Sequence, residues 1–370
     1  MKSNDSYLSG DSLPHGSDDL GVLICERKSC CGFTLVEVLV ASAIVALLVA
    51  MMITMVTQTS RIWRTTSGKV EEFRGSRDAF DAINRHLQQA TLNTYLDYNN
   101  AQNPTSYMRQ SQLRFLSGPA SSILNNVSLP STTPSMAIFF QAPNGFSTNA
   151  SNSILQNALN TRGYFIEYAA DSNGRPSFLS GPARYRYRLM EFIEPTEKLS
   201  VYNYTTNPSY TNIDWISNSL TMGSTRPVHV LAENVIALVV LPKLSPADIS
   251  MWNAAGSNYS ASSLASNYFY SSAVNGNTSV PIDPNLNTHH QLPPVVQVTL
   301  IAVDETSAIR FPSVYANLTN TTMSLFTSAA SYGDDLASLQ SLLTSNHMNF
   351  RIFTTDVMIR GAKWSASQTN

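Results

Sequence analysis

Charge is scarce in this chain. Only 13% of its 370 residues are Asp, Glu, Lys or Arg, well under the roughly 25% of ordinary soluble domains. The net charge of −2 excludes a basic nucleic-acid binder and a polyanionic tail. Cysteine is scarcer still, with Cys25, Cys30 and Cys31 the full complement. Removal of residues 1–32 leaves no thiol to form a disulfide or to ligate a metal. A lipoprotein reading of Cys30 or Cys31 fails, because the apolar stretch follows the cysteines and does not precede them. Catalytic signatures are missing too: there is no HExxH, no Gly-x-Ser-x-Gly turn and no phosphate-binding glycine loop. No enzyme activity, cofactor or metal site is therefore expected.

What fills the chain instead is Asn, Ser and Thr beside apolar residues. Uncharged runs extend from Phe115 to Thr161 and from Ile249 to Ile282, and these are predicted to be long loops. At 43% hydrophobic the chain can still bury a core.

From Phe33 to Val56 the sequence reads FTLVEVLVASAIVALLVAMMITMV, with Glu37 its single charge and no Gly or Pro. As a helix it is about 36 Å long, enough to cross a bilayer of about 30 Å. Ile62, Trp63, Val70, Phe73, Phe80, Ile83 and Leu87 continue the apolar spacing, which predicts one helix from Phe33 to about Leu92: an anchor whose outer half is a stalk. Arg77, Asp81 and Arg85 sit four apart, where they can pair along the polar face. A carboxylate within a span costs on the order of 2.5–3.5 kcal/mol on insertion scales, so Glu37 needs a partner or a purpose. Its shallow position lets it reach the headgroups. A proton relay lacks a second span. Pairing with the amine of a neighbouring copy becomes available when the chain is cut before Phe33.

Gly32-Phe33-Thr34-Leu35-Val36-Glu37 followed by a long apolar helix resembles the prepilin cleavage and methylation motif of type IV pilins and pseudopilins. The resemblance implies a prepilin peptidase that cuts between Gly32 and Phe33, N-methylation of Phe33, and a role for Glu37 in assembly. It departs from many members in lacking a helix-kinking Pro and in its long leader. SGKVEEFRGSRDAFDAINRHLQQATLNTYLDY, AIFFQAPNGF, RYRYRLMEFIEPTEKLSVYN, VLAENVIALVVLPKL, LPPVVQVTLIAVDETSA and NFRIFTTDVMIRGAKW together resemble the Verru-Chthon cassette protein C family. More distantly, the layout is similar to the J-type minor pseudopilins of type II secretion. These likenesses imply a minor filament subunit whose partners are other pilin-like subunits, the peptidase, an inner-membrane assembly platform and the membrane itself.

The organisation expected is a leader at 1–32, a transmembrane and stalk helix at 33–92, and an α+β outer domain at 93–370 built on an antiparallel sheet. The positive-inside rule points the other way, with Arg27 and Lys28 before the span against Arg61, Arg64, Lys69 and Arg74 after it. The processing implied by the motif puts the leader in the cytoplasm and the outer domain outside the bacterial inner membrane. A compact outer domain of this length has a radius of gyration of about 19 Å, whereas packed helices lie about 8–10 Å apart. That bulk predicts a scarce tip or initiating subunit and not the repeating shaft.

Strands are predicted at 136–141, 163–168, 184–193, 228–241, 295–303 and 350–359. Arg184-Tyr185-Arg186-Tyr187-Arg188 alternates with period two, predicting a half-exposed strand with a solvated arginine row. Ser250 to His290 reads as a large loop, closed by Pro281, Pro284, Pro293 and Pro294. Asp334 and Asp335 read as helix N-terminal residues. His289-His290 are expected to point apart, and Asp171-Ser172-Asn173-Gly174 is a turn because Pro182 stands where a calcium loop needs Glu. The alternatives to a filament subunit are a membrane-anchored binding protein or adhesin that never polymerises, and an anchored hydrolase with a site assembled from scattered residues.

Overall fold

The computed structural model describes residues 32–125, 127, 129, 131–152, 154–171, 178, 181–204, 213–221, 225–273 and 286–364. The leader cysteines, the Ser172–Gly174 turn, Pro281 and Pro284 lie outside the described residues, as does the side chain of Val70. Two units are distinguished, Met1–Trp63 and Arg64–Asn370.

Helix α1 covers Leu35–Leu87. In the first unit its stretch Leu35–Trp63, 29 residues, has no buried side chain. An all-round apolar surface with nothing packed on it is what a helix shows when its solvent is lipid.

In the second unit the same helix becomes one-sided. Ser76, Ala79, Phe80, Ile83 and Leu87 are buried, while Arg77, Asp81 and Arg85 are exposed. No ion pair joins those three charges among the described residues. The strands are β1 (Tyr95–Tyr98), β2 (Tyr107–Gln110), β3 (Leu116–Pro119), β4 (Met136–Pro143), β5 (Leu159–Ala170), β6 (Tyr185–Glu194), β7 (Val228–Glu233), β8 (Val235–Lys243), β9 (Tyr270–Ser271), β10 (Val295–Val303) and β11 (Phe350–Met358). Beyond α1 the helices are α2 (Ala120–Ile123), α3 (Asp214–Leu220), α4 (Pro246–Ala254), α5 (Glu305–Arg310), α6 (Pro312–Ser324) and α7 (Tyr332–Ser345). Asp334 and Asp335 do open α7.

A six-stranded antiparallel sheet runs β7-β6-β5-β4-β3-β9, and a three-stranded one runs β11-β10-β8. The fold is α+β, a long N-terminal helix followed by antiparallel sheets. The period-two geometry of the strands divides the larger sheet's side chains between two cores. Ile138, Phe140, Tyr164, Ile166 and Leu189 join Phe80, Ile83 and Leu87 of α1 and the apolar residues of β8 and β10. Ala137, Phe139, Phe165, Met190 and Phe192 join Ile123, Trp215, Ile216 and Leu220 of α2 and α3. Full burial of a Phe, Ile or Leu side chain contributes about 1.5–3 kcal/mol, so α1 is a structural wall of this unit.

That double burial corrects one expectation. The run Phe115–Thr161 holds β3, α2, β4 and the start of β5, and it lacks charge because both faces of those strands are dry. The Ser250–His290 stretch is likewise structured where described, with the end of α4, a 3-10 turn at Ala261–Ala265 and β9. Trp252, Tyr268 and Tyr270 are its buried anchors. The single run expected over 228–241 is two strands in two sheets. Asn234, at φ 58°, turns the chain out of one sheet and into the other. Asn tolerates this left-handed conformation better than a β-branched residue.

Candidate functional site

Gly32, Phe33 and Thr34 precede α1 in non-helical backbone and are exposed, Phe33 by 79%. The Gly32–Phe33 bond therefore lies outside the helical hydrogen-bond ladder. Thr34 then starts the helix. Its Oγ1 accepts the Glu37 N–H at 3.3 Å, and its carbonyl accepts the Val38 N–H at 3.2 Å. Thr34 is therefore the N-cap and Glu37 the third helical residue. An acidic side chain in the first turn also complements the helix dipole. Sequence inspection overlooked the capping role of Thr34, although a Thr just before the apolar run carries its signal.

The junction and the apolar helix coincide with a known signature. Residues 27–53 match the family model described as the prokaryotic N-terminal methylation motif. No curated protein and no solved structure matches the chain. The match supports a type IV pilin-like chain of the kind that a prepilin peptidase processes. Among the described residues one helix is long and apolar enough to cross a membrane, which supports a single anchor.

In the second unit the arginine row of β6 is not simply solvated. Arg186 lies 3.1 Å from Glu233 and 2.7 Å from Glu305, and Arg188 is 3.8 Å from Glu233. Tyr187, on the opposite face, is fully buried and packs edge-on against Tyr315 at 4.9 Å. Glu305 reaches the sheet because Asp304 caps α5, accepting from the Ser307 N–H at 3.0 Å. Asn234 ties this together. Its amide donates to Glu305 at 2.7 Å, and its Oδ1 accepts from the Tyr315 hydroxyl at 2.8 Å.

A second polar cluster sits between α1 and the sheet. His86 Nδ1 is 2.6 Å from the Tyr164 hydroxyl, which donates to Glu191 at 3.0 Å, and Arg162 is ion-paired with the same carboxylate. With the tyrosine proton given to Glu191, the bond network assigns the His86 proton to Nδ1. Burial, reinforced by Arg162 and Arg85, lowers the His86 pKa to about 4. Glu191 lies 3.8 Å from the ring, but its charge is already shared by Arg162 and Tyr164, so burial prevails.

His289 and His290 do not point apart as expected: their rings are 3.8 Å between centroids. Burial lowers both pKa values, that of His290 to about 3 with help from His289, Arg109 and Arg114. Two arginines beside the pair oppose a cation there. Among the described residues no cluster of three or more His, Cys, Asp or Glu is placed to hold a metal. His229 is exposed on β7. Glu194 is buried and accepts from the Ser200 and Ser219 hydroxyls at 2.6 Å each. The arrangement anchors a loop and α3 to the sheet.

Proposed function

We propose that this protein is a minor pilin-like subunit, cut by a prepilin peptidase between Gly32 and Phe33, methylated at Phe33, and assembled into a type IV pilus-like or type II secretion-like filament. The finer likeness to Verru-Chthon cassette protein C and to J-type pseudopilins belongs to this reading. The observation that carries it is the coincidence of the matched motif at residues 27–53 with an exposed, non-helical Gly32–Phe33 junction and an unburied apolar helix. A cut at that bond leaves Thr34 as the N-cap of α1, so the helix survives processing with its first turn intact.

In this reading Leu35–Trp63 is held in the inner membrane before assembly and packs among the equivalent helices of other pilin-like subunits afterwards. Glu37 offers its carboxylate to the free amine of the neighbouring chain. The outer unit faces the periplasm or the filament surface, and its role is structural and recognitive, not catalytic. Gly32→Leu tests the reading. Intact-mass analysis of protein from native membranes is expected to show wild type reduced by the leader and the variant retaining it. Equal masses overturn the processing step, and with it the filament assignment.

A further inference from the structure

The N-terminal end of β6 is an open strand edge beside a cavity. The Arg184 N–H donates to Asp171 Oδ1 at 2.9 Å, and the Asp171 N–H donates to the Arg184 carbonyl at 2.9 Å. Both main-chain groups of Arg184 therefore face β5. Backbone alternation turns those of Tyr185 the opposite way, toward the side on which β7 lies. There β7 has already ended: its last ladder partner is Glu233, opposite Arg188, and Asn234 N–H closes on the Tyr187 carbonyl at 2.7 Å. The Tyr187 N–H is taken by the Tyr315 hydroxyl at 3.2 Å. Among the described residues nothing occupies the N–H or C=O of Tyr185, a residue 60% exposed.

The cavity that this edge borders has a volume of about 380 Å³, in the size range of ligand sites. Tyr168, Tyr315, Ile309 and Pro312 give it an apolar wall, and Arg184 and Tyr185 stand at its edge. Its charges are unequal in their compensation. Arg186 lies between Glu233 and Glu305, whereas Arg184 forms no ion pair among the described residues. Asp171 meets Arg184 through its amide.

We propose that this cavity docks an extended acidic peptide segment of a partner protein. The segment adds its main chain to Tyr185, setting one N–H and one C=O against the open pair, as in strand addition at a sheet edge. A carboxylate meets the Arg184 guanidinium. An apolar side chain enters between Tyr168, Tyr315 and Pro312. A saccharide also stacks on tyrosine, but it has no use for a paired donor and acceptor at strand spacing. The exposed main-chain pair therefore selects the peptide. This inference goes beyond filament assembly and does not require the leader to be cut.

The test uses the full chain in detergent micelles and fluorescence anisotropy with a labelled peptide of alternating Val and Asp. Its Val and Lys counterpart and trigalacturonate are the comparison probes. Saturable binding of the Val and Asp peptide, weakened by salt, is expected. Tyr185→Pro removes the open N–H without touching the β5 ladder, and is expected to weaken binding by about tenfold, while Tyr185→Phe changes it by less than about twofold. Arg184→Glu is expected to transfer the preference to the Val and Lys peptide. If Tyr185→Pro fails to fold by circular dichroism, the Arg184→Glu reversal alone decides. The proposal is overturned by absence of saturable binding, by binding indifferent to Arg184→Glu, or by preference for trigalacturonate over the peptide.

Discussion

The Nδ1 of His86 on helix α1 meets the hydroxyl of Tyr164 on strand β5 at 2.6 Å, in a contact that couples the helix to the sheet. Because burial holds the His86 pKa at about 4, against about 6.5 in an unfolded chain, the unfolded state binds more protons between those values. Stability is therefore full above about pH 6.5, falls as pH drops toward 4, and levels off where the folded form also protonates. The loss is at most about 3 kcal/mol, less to the extent that solvent screens this partly exposed ring. Chemical denaturation of wild type at pH 7 and pH 4.5, against His86→Gln, checks this. The variant is expected to lose most of the difference that His86 contributes over that range.

Gly163 on β5 lies opposite Phe139 on β4, and a Cβ there would overlap the Phe139 ring and approach the Ile138 carbonyl. The ring fills the space above the glycine, in the smaller core beside Phe165, Phe192 and Trp215. Gly163→Ala is expected to destabilise the outer unit by about 1–3 kcal/mol through overpacking. A lowered denaturation midpoint with an unchanged slope is the expected signature.

Asn234 combines a left-handed backbone with side-chain bonds to Glu305 and Tyr315. Asn234→Gly keeps the conformation and loses the bonds, so a cost of about 1–3 kcal/mol is expected. Asn234→Val loses both and is expected to cost more, since a β-branched residue at positive φ is strained. Thermal melts of the two variants rank the conformational and hydrogen-bonding contributions. Equal melting temperatures would show that the backbone turn carries no strain.

Glu37→Leu separates the roles of that carboxylate. Removing a charge from the span favours insertion, so membrane recovery equal to or above wild type is expected. Loss of the proposed pairing with a neighbour's amine is expected to lower recovery in sheared filaments. Glu37→Gln, which keeps a polar side chain of similar size without the charge, is expected to insert normally and to share the assembly defect. Normal assembly of both variants would leave Glu37 with only its first-turn role.

The anchor was legible because lipid imposes a composition that few other environments permit: from Phe33 to Val56 only Glu37 is charged. Five of the six predicted strands appear close to their expected places, and the sixth, over 228–241, is two strands, since β-branched and aromatic runs mark buried sheet but not its breaks. The short strands β1, β2, β3 and β9 passed unnoticed, being too brief for a period-two pattern to register. Asn234 hid the break between β7 and β8 because a single polar residue within an apolar run looks like an ordinary alternation. The pairing of Arg186 with Glu305 was illegible for another reason. Residues this far apart in sequence are brought together only by the crossing of chains between sheets. The His289–His290 stack depended on the His290 backbone, at φ 54°, which spacing does not reveal.

The buried face of α1 sets the truncation boundary for the outer unit. Ala79, Phe80, Ile83 and Leu87 lie in the same core as Ile138, Tyr164 and Leu300. A soluble fragment starting at Asn93 discards that wall and leaves apolar sheet open to water, an invitation to aggregation. A fragment starting at Arg64 retains it. The 76–87 part of α1 is thus a core element of the second unit. Phe80 and Leu87 therefore cannot leave the sheet without opening the hydrophobic interior of the second unit.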